Sequence, residues 1–245
     1  MRRAFMATTI TELKLLLREP AAGIFVLGLP LLLLMMNSSH GNAPDPGLGG
    51  AGALDSLVPG YIALVIATMG LMMLPVTLAG YREQGVLRRQ RATPLSPTVL
   101  LAAHVVVAIV VTLAGVTLLV SVGMTAFGLN APQDLWATAA SLLLAAVAIY
   151  ALGFLLAGFA PTARTAQALA AALYFPMIFL SGATWPRWAM SETLQRLGDA
   201  LPLTYAVQAM QDPWTGEGVH MTAMIVLAVT AVFSVAISAR TFRWE

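Results

Sequence analysis

The sequence predicts an all-α polytopic membrane protein. It has six transmembrane helices, an N-terminal amphipathic helix on the membrane surface, a short cytoplasmic helix after the second span and a short extracellular helix after the fifth. Three observations predict this. The 245-residue chain is 59% hydrophobic and only 10% charged, whereas a soluble domain carries roughly 25% charge. So few charges cannot cover so much apolar surface, and lipid must be the outer solvent. Six windows of at least spanning length are free of Asp, Glu, Lys and Arg: 20–44, 56–81, 92–133, 135–163, 165–186 and 218–239. Finally, the basic residues fall almost entirely on one side of those windows.

Charge-free windows mark spans because a charge at mid-bilayer is costly, and roughly 20 helical residues cross the hydrocarbon. Trimmed at turn residues, the spans of this single membrane domain (1–245) run near 20–37, 57–80, 98–127, 137–160, 165–183 and 219–239. The third window is long enough for two helices. Between Pro97 and Gly128 it holds only isolated Gly115 and Gly123, so one long, tilted or protruding helix is the simpler reading. With both termini inside, eleven of the thirteen basic residues are cytoplasmic and only Arg187 and Arg196 lie outside. Splitting the third window would move Arg164, Arg240 and Arg243 outward and spoil that asymmetry.

Residues 1–18 place Phe5, Met6, Ile10, Leu13 and Leu17 at helical spacing with Arg2, Arg3, Lys14 and Arg18 on other faces. This suits an interfacial helix on the inner leaflet. A signal peptide is the competing reading of a basic start before an apolar run, but with five further spans a signal-anchor role suffices. Residues 41–53, rich in Gly, Ala and Pro, read as a flexible outer loop.

The absences narrow the chemistry. No G-x-x-x-x-G-K-[ST] phosphate loop is present and the only lysine is Lys14, so the chain does not bind ATP in that way. With no cysteine, thiolate metal sites are excluded. His40, His104 and His220 are too dispersed in the sequence to suggest a metal site, and His104 reads as a packing or interfacial residue. No span carries a central acid, which argues against proton- or sodium-coupled transport. A membrane enzyme would need an activated nucleophile; Ser121, Ser141 and Ser234 lie in spans, but no histidine or acid is placed to activate them. Nothing suggests nucleic-acid binding.

The stretch after the second span is the most informative. Tyr81-Arg82-Glu83-Gln84-Gly85-Val86-Leu87-Arg88-Arg89-Gln90-Arg91 leads into Ala92-Thr93-Pro94-Leu95-Ser96-Pro97. A short helix here serves either as an anchor on anionic lipid or as a docking element for a cytoplasmic partner. Glu83 and Gly85 favour docking, since neither helps lipid binding. Further on, Tyr174-Phe175-Pro176-Met177-Ile178-Phe179-Leu180-Ser181-Gly182 precedes Trp185-Pro186, and Leu201-Pro202-Leu203-Thr204-Tyr205 follows. Pro176 removes a backbone hydrogen bond within the fifth span, which should kink or loosen there, and Ser181-Gly182 ends it. Residues 187–200 read as a short outer helix with Trp188, Leu194, Leu197 and Leu201 on one side. Trp185, Trp188 and Trp214 suit the outer interface. Met69, Met72 and Met73 cluster beside Pro75, suiting either a promiscuous apolar surface or plain packing. Ala166, Ala168, Ala170 and Ala172 allow close helix approach along the fifth span.

These two stretches, in these topological places, resemble ABC-2-type transporter permeases, including the membrane subunits of daunorubicin-resistance-like drug exporters. The resemblance covers the chain in length, helix count and motif spacing. It implies a homodimer, or a heterodimer with a sister permease, bound to two separate ATP-binding cassette subunits. Those subunits hold the ATP and magnesium, and this chain binds no cofactor of its own. It also implies residence in the bacterial inner membrane, coupling through the cytoplasmic helix and a path lined by the second and fifth spans. The coupling candidates are Glu83, Gly85, Leu87, Arg88 and Arg89. The path and moving-helix candidates are Met69, Met72, Met73, Pro176, Phe179, Ser181 and Gly182. The expected cargo is hydrophobic or amphipathic, a drug or antibiotic first and a lipid or lipid-linked glycan second, because no span carries a fixed charge.

Overall fold

The computed structural model describes residues 20–38, 41–48, 50–85 and 97–241. The expected interfacial helix 1–18 and the segment 86–96 lie outside the described residues, and Leu87, Arg88 and Arg89 with them.

The helices, in chain order, are α1 (Pro20–Asn37), α2 (Ala53–Glu83), α3 (Pro97–Phe127), α4 (Leu135–Phe159), α5 (Ala163–Leu180), α6 (Glu192–Gly198), α7 (Pro202–Thr215) and α8 (Met221–Thr241). Among the described residues no β-strand is formed, and α2, α3, α4, α5 and α8 are long and apolar enough to cross a membrane; α1 holds a shorter apolar stretch, Val26–Asn37. The protein is an all-α, multi-pass membrane protein. Its third window is one helix, as expected. At about 1.5 Å per residue, the 31 residues of α3 exceed the hydrocarbon thickness, so the helix tilts or protrudes.

Local chemistry sets the ends. Asp134 caps α4 by accepting from the Ala137 N–H (2.9 Å). Thr162 accepts from Thr165 N–H (3.2 Å) while the Thr165 hydroxyl accepts from Thr162 N–H (3.0 Å), a reciprocal cap on α5. Proline opens α1, α3 and α7, where the missing donor costs nothing. Gly85 (φ +67°) follows the last turn of α2, and Gly216 (φ +92°) follows α7; both are left-handed stops that a side chain would strain.

α2 is the central helix, almost wholly enclosed by α1, α3, α4, α5 and α7. α8 leans on α4 and leaves Ile225, Val229, Val232 and Phe233 exposed. The turns fall at two ends. One, sequence-assigned to the cytoplasm and called inner below, gathers residues 81–85 and 159–163. The other, called outer, gathers residues 41–48, 50–52, 128–134 and 181–220.

Three expectations change at the outer end. The segment 187–200 is a 3₁₀ turn (Arg187–Ala189) followed by α6, because Met190 and Ser191 are extended between them. A further helix, α7, was not expected. Its apolar positions Leu203, Ala206, Val207, Met210 and Trp214 are buried on one side, but its 14 residues are too short to cross. Trp214 is therefore buried at 3% exposure rather than placed at the interface, whereas Trp185 and Trp188 are exposed. Of the four alanines expected to allow close approach along α5, Ala166 and Ala170 are buried, whereas Ala168 and Ala172 are exposed.

Candidate functional site

At the inner end, three consecutive residues of α2 each reach a different neighbour. The Tyr81 ring stacks edge-on against His104 of α3, with centroids 5.4 Å apart. Arg82 donates through Nη2 to the carbonyl of Ala157 in the last turn of α4 (3.0 Å). Glu83 Oε2 accepts from the N–H of Ala163, the first residue of α5 (2.9 Å). Both polar contacts match the helix dipole: a cation meets the carbonyl end of α4, and an anion meets the free amide end of α5. Beneath them Ala79, Ala160 and Ala166 form a buried cluster small enough for α2 and α5 to approach closely. Gly85 N–H then donates to Arg82 O (3.0 Å), closing the helix and turning the chain into 86–96.

In mid-membrane, α2 contains a π-helical turn, Thr68–Met73, closed by Leu74 N–H donating to Met69 O. Pro75 has no N–H, so it supplies no donor to the Gly70 carbonyl five residues back. Gly153 of α4 lies against that carbonyl; a Cβ there would collide with it. A Cβ on Gly70 would in turn stand 2.7 Å from Tyr150 Cδ1. At the start of the same turn, Thr68 Oγ1 donates to Leu64 O (2.8 Å) and lies 2.9 Å from Tyr174 OH. With the Thr68 proton so engaged, Tyr174 is the donor. A second buried pair, Thr112 and Tyr150, joins α3 to α4. Short turns of this kind recur at functional sites in membrane and soluble helices.

At the outer end of α5, the buried Ser181 Oγ accepts from Ala183 N–H (3.2 Å), and Gly182 takes φ +91°. Gly60 of α2 lies so close that a Cβ would stand 2.8 Å from the Gly182 carbonyl. The outer segment is then tied to itself: Arg187 pairs with Asp199 (2.6 Å), Thr204 Oγ1 donates to Gly198 O (2.6 Å), and Tyr205 OH donates to Asp199 O (2.8 Å). The Pro-Leu-Thr-Tyr motif thus fastens α7 back onto the end of α6.

His220 Nδ1 lies 3.0 Å from Asp212 Oδ2. Burial raises the Asp212 carboxyl above its ordinary 3.8, partly offset by His220 and reinforced by Glu217. The native state therefore binds this proton more tightly than the unfolded chain, and this term's stabilisation is lost as pH rises from about 4 through the raised value. Asp212→Asn is expected to flatten the pH dependence of the thermal midpoint in that window; an unchanged slope would assign it to other groups.

The structure sorts the candidate residues as follows. Met69 is buried within the π turn, and Met72 and Met73 are half-buried against the main core. Pro176 and Phe179 are exposed on α5, beside Phe175, while α5 stays helical through Pro176 to Leu180. Ser181 and Gly182 form the stop. Glu83 and Gly85 both have internal structural partners or roles, which the sequence had offered as reasons for docking. Sequence reasoning passed over Arg82, Tyr174, Gly70 and Gly153. The Tyr174 in the second motif was a signal; the glycine pair, 83 residues apart, was not.

None of the curated proteins compared with the chain matches it. The ABC-2 type transporter family model matches residues 3–213, spanning the inner joint, the π turn, the fifth helix and the outer segment through Pro213. With five helices long and apolar enough to cross a membrane and a shorter apolar one before them, the chain belongs to the ABC-2 type transporter family, whose members form the membrane component of ABC transporters.

Proposed function

We propose that this protein is the permease subunit of an exporter that moves a hydrophobic or amphipathic compound, a drug or antibiotic, outward through a bacterial cell membrane. Two copies of a separate ATP-binding cassette subunit hydrolyse the ATP and hold its magnesium. The observation that carries this reading is the family match over a chain that has no phosphate loop of its own. The segment with Leu87, Arg88 and Arg89 docks on the ATP-binding subunit, just beyond the Gly85 stop.

The character of α5 supports a path or partner beside it. It is the least apolar of the five long spans, yet little of it is buried. Its outward face mixes Gln167 with Leu169, Phe175, Pro176 and Phe179. A helix facing only lipid has no use for that mixture. A second permease, identical or related, places this face at a central path; Met72 and Met73 of α2 line it further in when the helices part. The spans' lack of fixed charge suits an uncharged or amphipathic cargo, and a lipid-linked glycan fits the same chemistry.

The test is purification in mild detergent followed by reconstitution into liposomes. A stoichiometric phosphate-loop protein should co-purify, and amphipathic compounds should stimulate its ATP hydrolysis and be moved across the bilayer. Hydrolysis that no compound stimulates would make the chain an ATPase anchor instead. Because the chain has no native cysteine, Arg88→Cys gives a clean orientation probe, and labelling from outside intact cells would overturn the coupling scheme.

A further inference from the structure

We infer that Glu83 is a positioning residue within this chain: with Arg82 it locks the inner ends of α2, α4 and α5 into one body, so that displacement of the cytoplasmic loop is delivered to α5. The inference rests on the ATP-driven reading above and departs from the expectation that Glu83 touches the ATPase.

The geometry assigns Glu83 an internal partner. Ala163 is the first residue of α5, so its N–H has no acceptor within the helix. Thr162 already serves Thr165, and Ala166 N–H already donates to Thr162 O. The Glu83 carboxylate supplies the missing acceptor at 2.9 Å. Arg82 holds Ala157 O on the other side of the same turn. Two adjacent side chains thus grip both shoulders of the α4–α5 connection. The Ala79–Ala160–Ala166 contact lies directly below, leaving no side-chain slack.

A second tie prevents the pair from pivoting. Tyr174 and Thr68 join the same two helices in mid-membrane. On α2 the two ties are 15 residues apart, about 22 Å along a helix. Two separated fastenings make α2 and α5 move together rather than slide. Glu83 is the last residue of α2, so its tie to α5 sits at the end of the helix from which the chain runs on to the segment 86–96.

Charge and acceptor are separable. Glu83→Gln keeps an oxygen that can take the Ala163 N–H but removes the charge; Glu83→Ala removes both. An ion pair with a partner subunit would fail in both variants, whereas an internal cap fails only in alanine.

The experiment uses the complete complex in liposomes with one cysteine, at Gln84→Cys on the loop side or Arg164→Cys at the start of α5. Maleimide labelling rates are compared with and without ATP plus orthovanadate. In the parent and in Glu83→Gln, trapping should change labelling several-fold at both positions. In Glu83→Ala the Gln84→Cys response should persist while the Arg164→Cys response is lost. Glu83→Ser, too short to reach Ala163, reads the same way should Glu83→Ala yield no complex. An Arg164→Cys response that survives in Glu83→Ala overturns the inference, as does loss of both responses in Glu83→Gln. If neither position responds in the parent complex, the ATP-driven reading fails and takes this inference with it.

Discussion

Asp55→Ala is expected to lower stability by on the order of 3 kcal/mol, because a buried carboxylate that loses its place leaves several donors without acceptors. Asp55 is 5% exposed at the outer end of α2. Its Oδ1 accepts from Asn42 Nδ2 (2.8 Å) and from Asn130 N–H (3.0 Å). Its Oδ2 accepts from Asn130 Nδ2 (2.8 Å) and Gly52 N–H (3.2 Å). Asn42 in turn takes the Leu54 N–H through Oδ1 (2.9 Å). One side chain therefore clasps the loop after α1, the start of α2 and the turn after α3. The four bonds also replace water around the charge, which is what lets a carboxylate sit there. Asn130 is itself exposed, so water recovers part of the loss, which keeps the figure at one group's cost rather than four. Asp55→Asn offers an amide donor where donors already converge and should lose nearly as much. Thermal unfolding in detergent measures both. The Asn130→Ala variant combined with Asp55→Ala should cost less than the two singles added, since they share the same bonds. Full additivity would mean that the clasp does not act as a unit.

The second large effect is expected at the crossing of α2 and α4. Gly153→Ala places a methyl where the Gly70 carbonyl stands, and backbone cannot step aside as a flexible side chain can. Relief requires α4 to back away from the π turn, opening the packing of Ile149 and Tyr150, which are fully enclosed. Overpacking of this kind costs about 3 kcal/mol, towards the upper end of its usual range. Gly115→Ala is the control. Its nearest atom is Leu27 Cδ2 at 2.9 Å, the far end of a side chain that can rotate, so a much smaller loss is expected. Equal unfolding midpoints for the two variants would show that the Gly70–Gly153 contact is not rigid. A change in the π turn also moves the inner end of α2, including Arg82 and Glu83, so Gly153→Ala should weaken transport beyond its effect on folding.

Much of this was legible in the chain because the bilayer makes it so. Lipid offers no hydrogen bonds, so each crossing must be a helix, and each helix must be nearly free of charge. Six charge-free windows therefore announce themselves, as does the continuity of α3. The Ser-Gly stop and the basic segment after α2 carry local signatures. α7 escaped notice because it is neither long enough to cross nor polar enough to read as a plain loop; its apolar side is satisfied by α2, α4 and α8, none adjacent to it in sequence except α8. Trp214 followed the rule for interfacial aromatics until α7 folded it inward.

Sequence alone determined the all-α membrane class, the places of the charge-free segments, the uneven spread of basic residues between them and the absence of a phosphate loop, since these follow from composition summed along one segment at a time. Tertiary structure alone decided that Glu83 caps α5, that Asp55 gathers two asparagines and that Gly153 meets Gly70. Each of these joins residues scores of positions apart or segments from separate turns. Whether a carboxylate finds a helix end or a partner protein depends on which backbone the fold brings within 3 Å, and no local pattern encodes that distance.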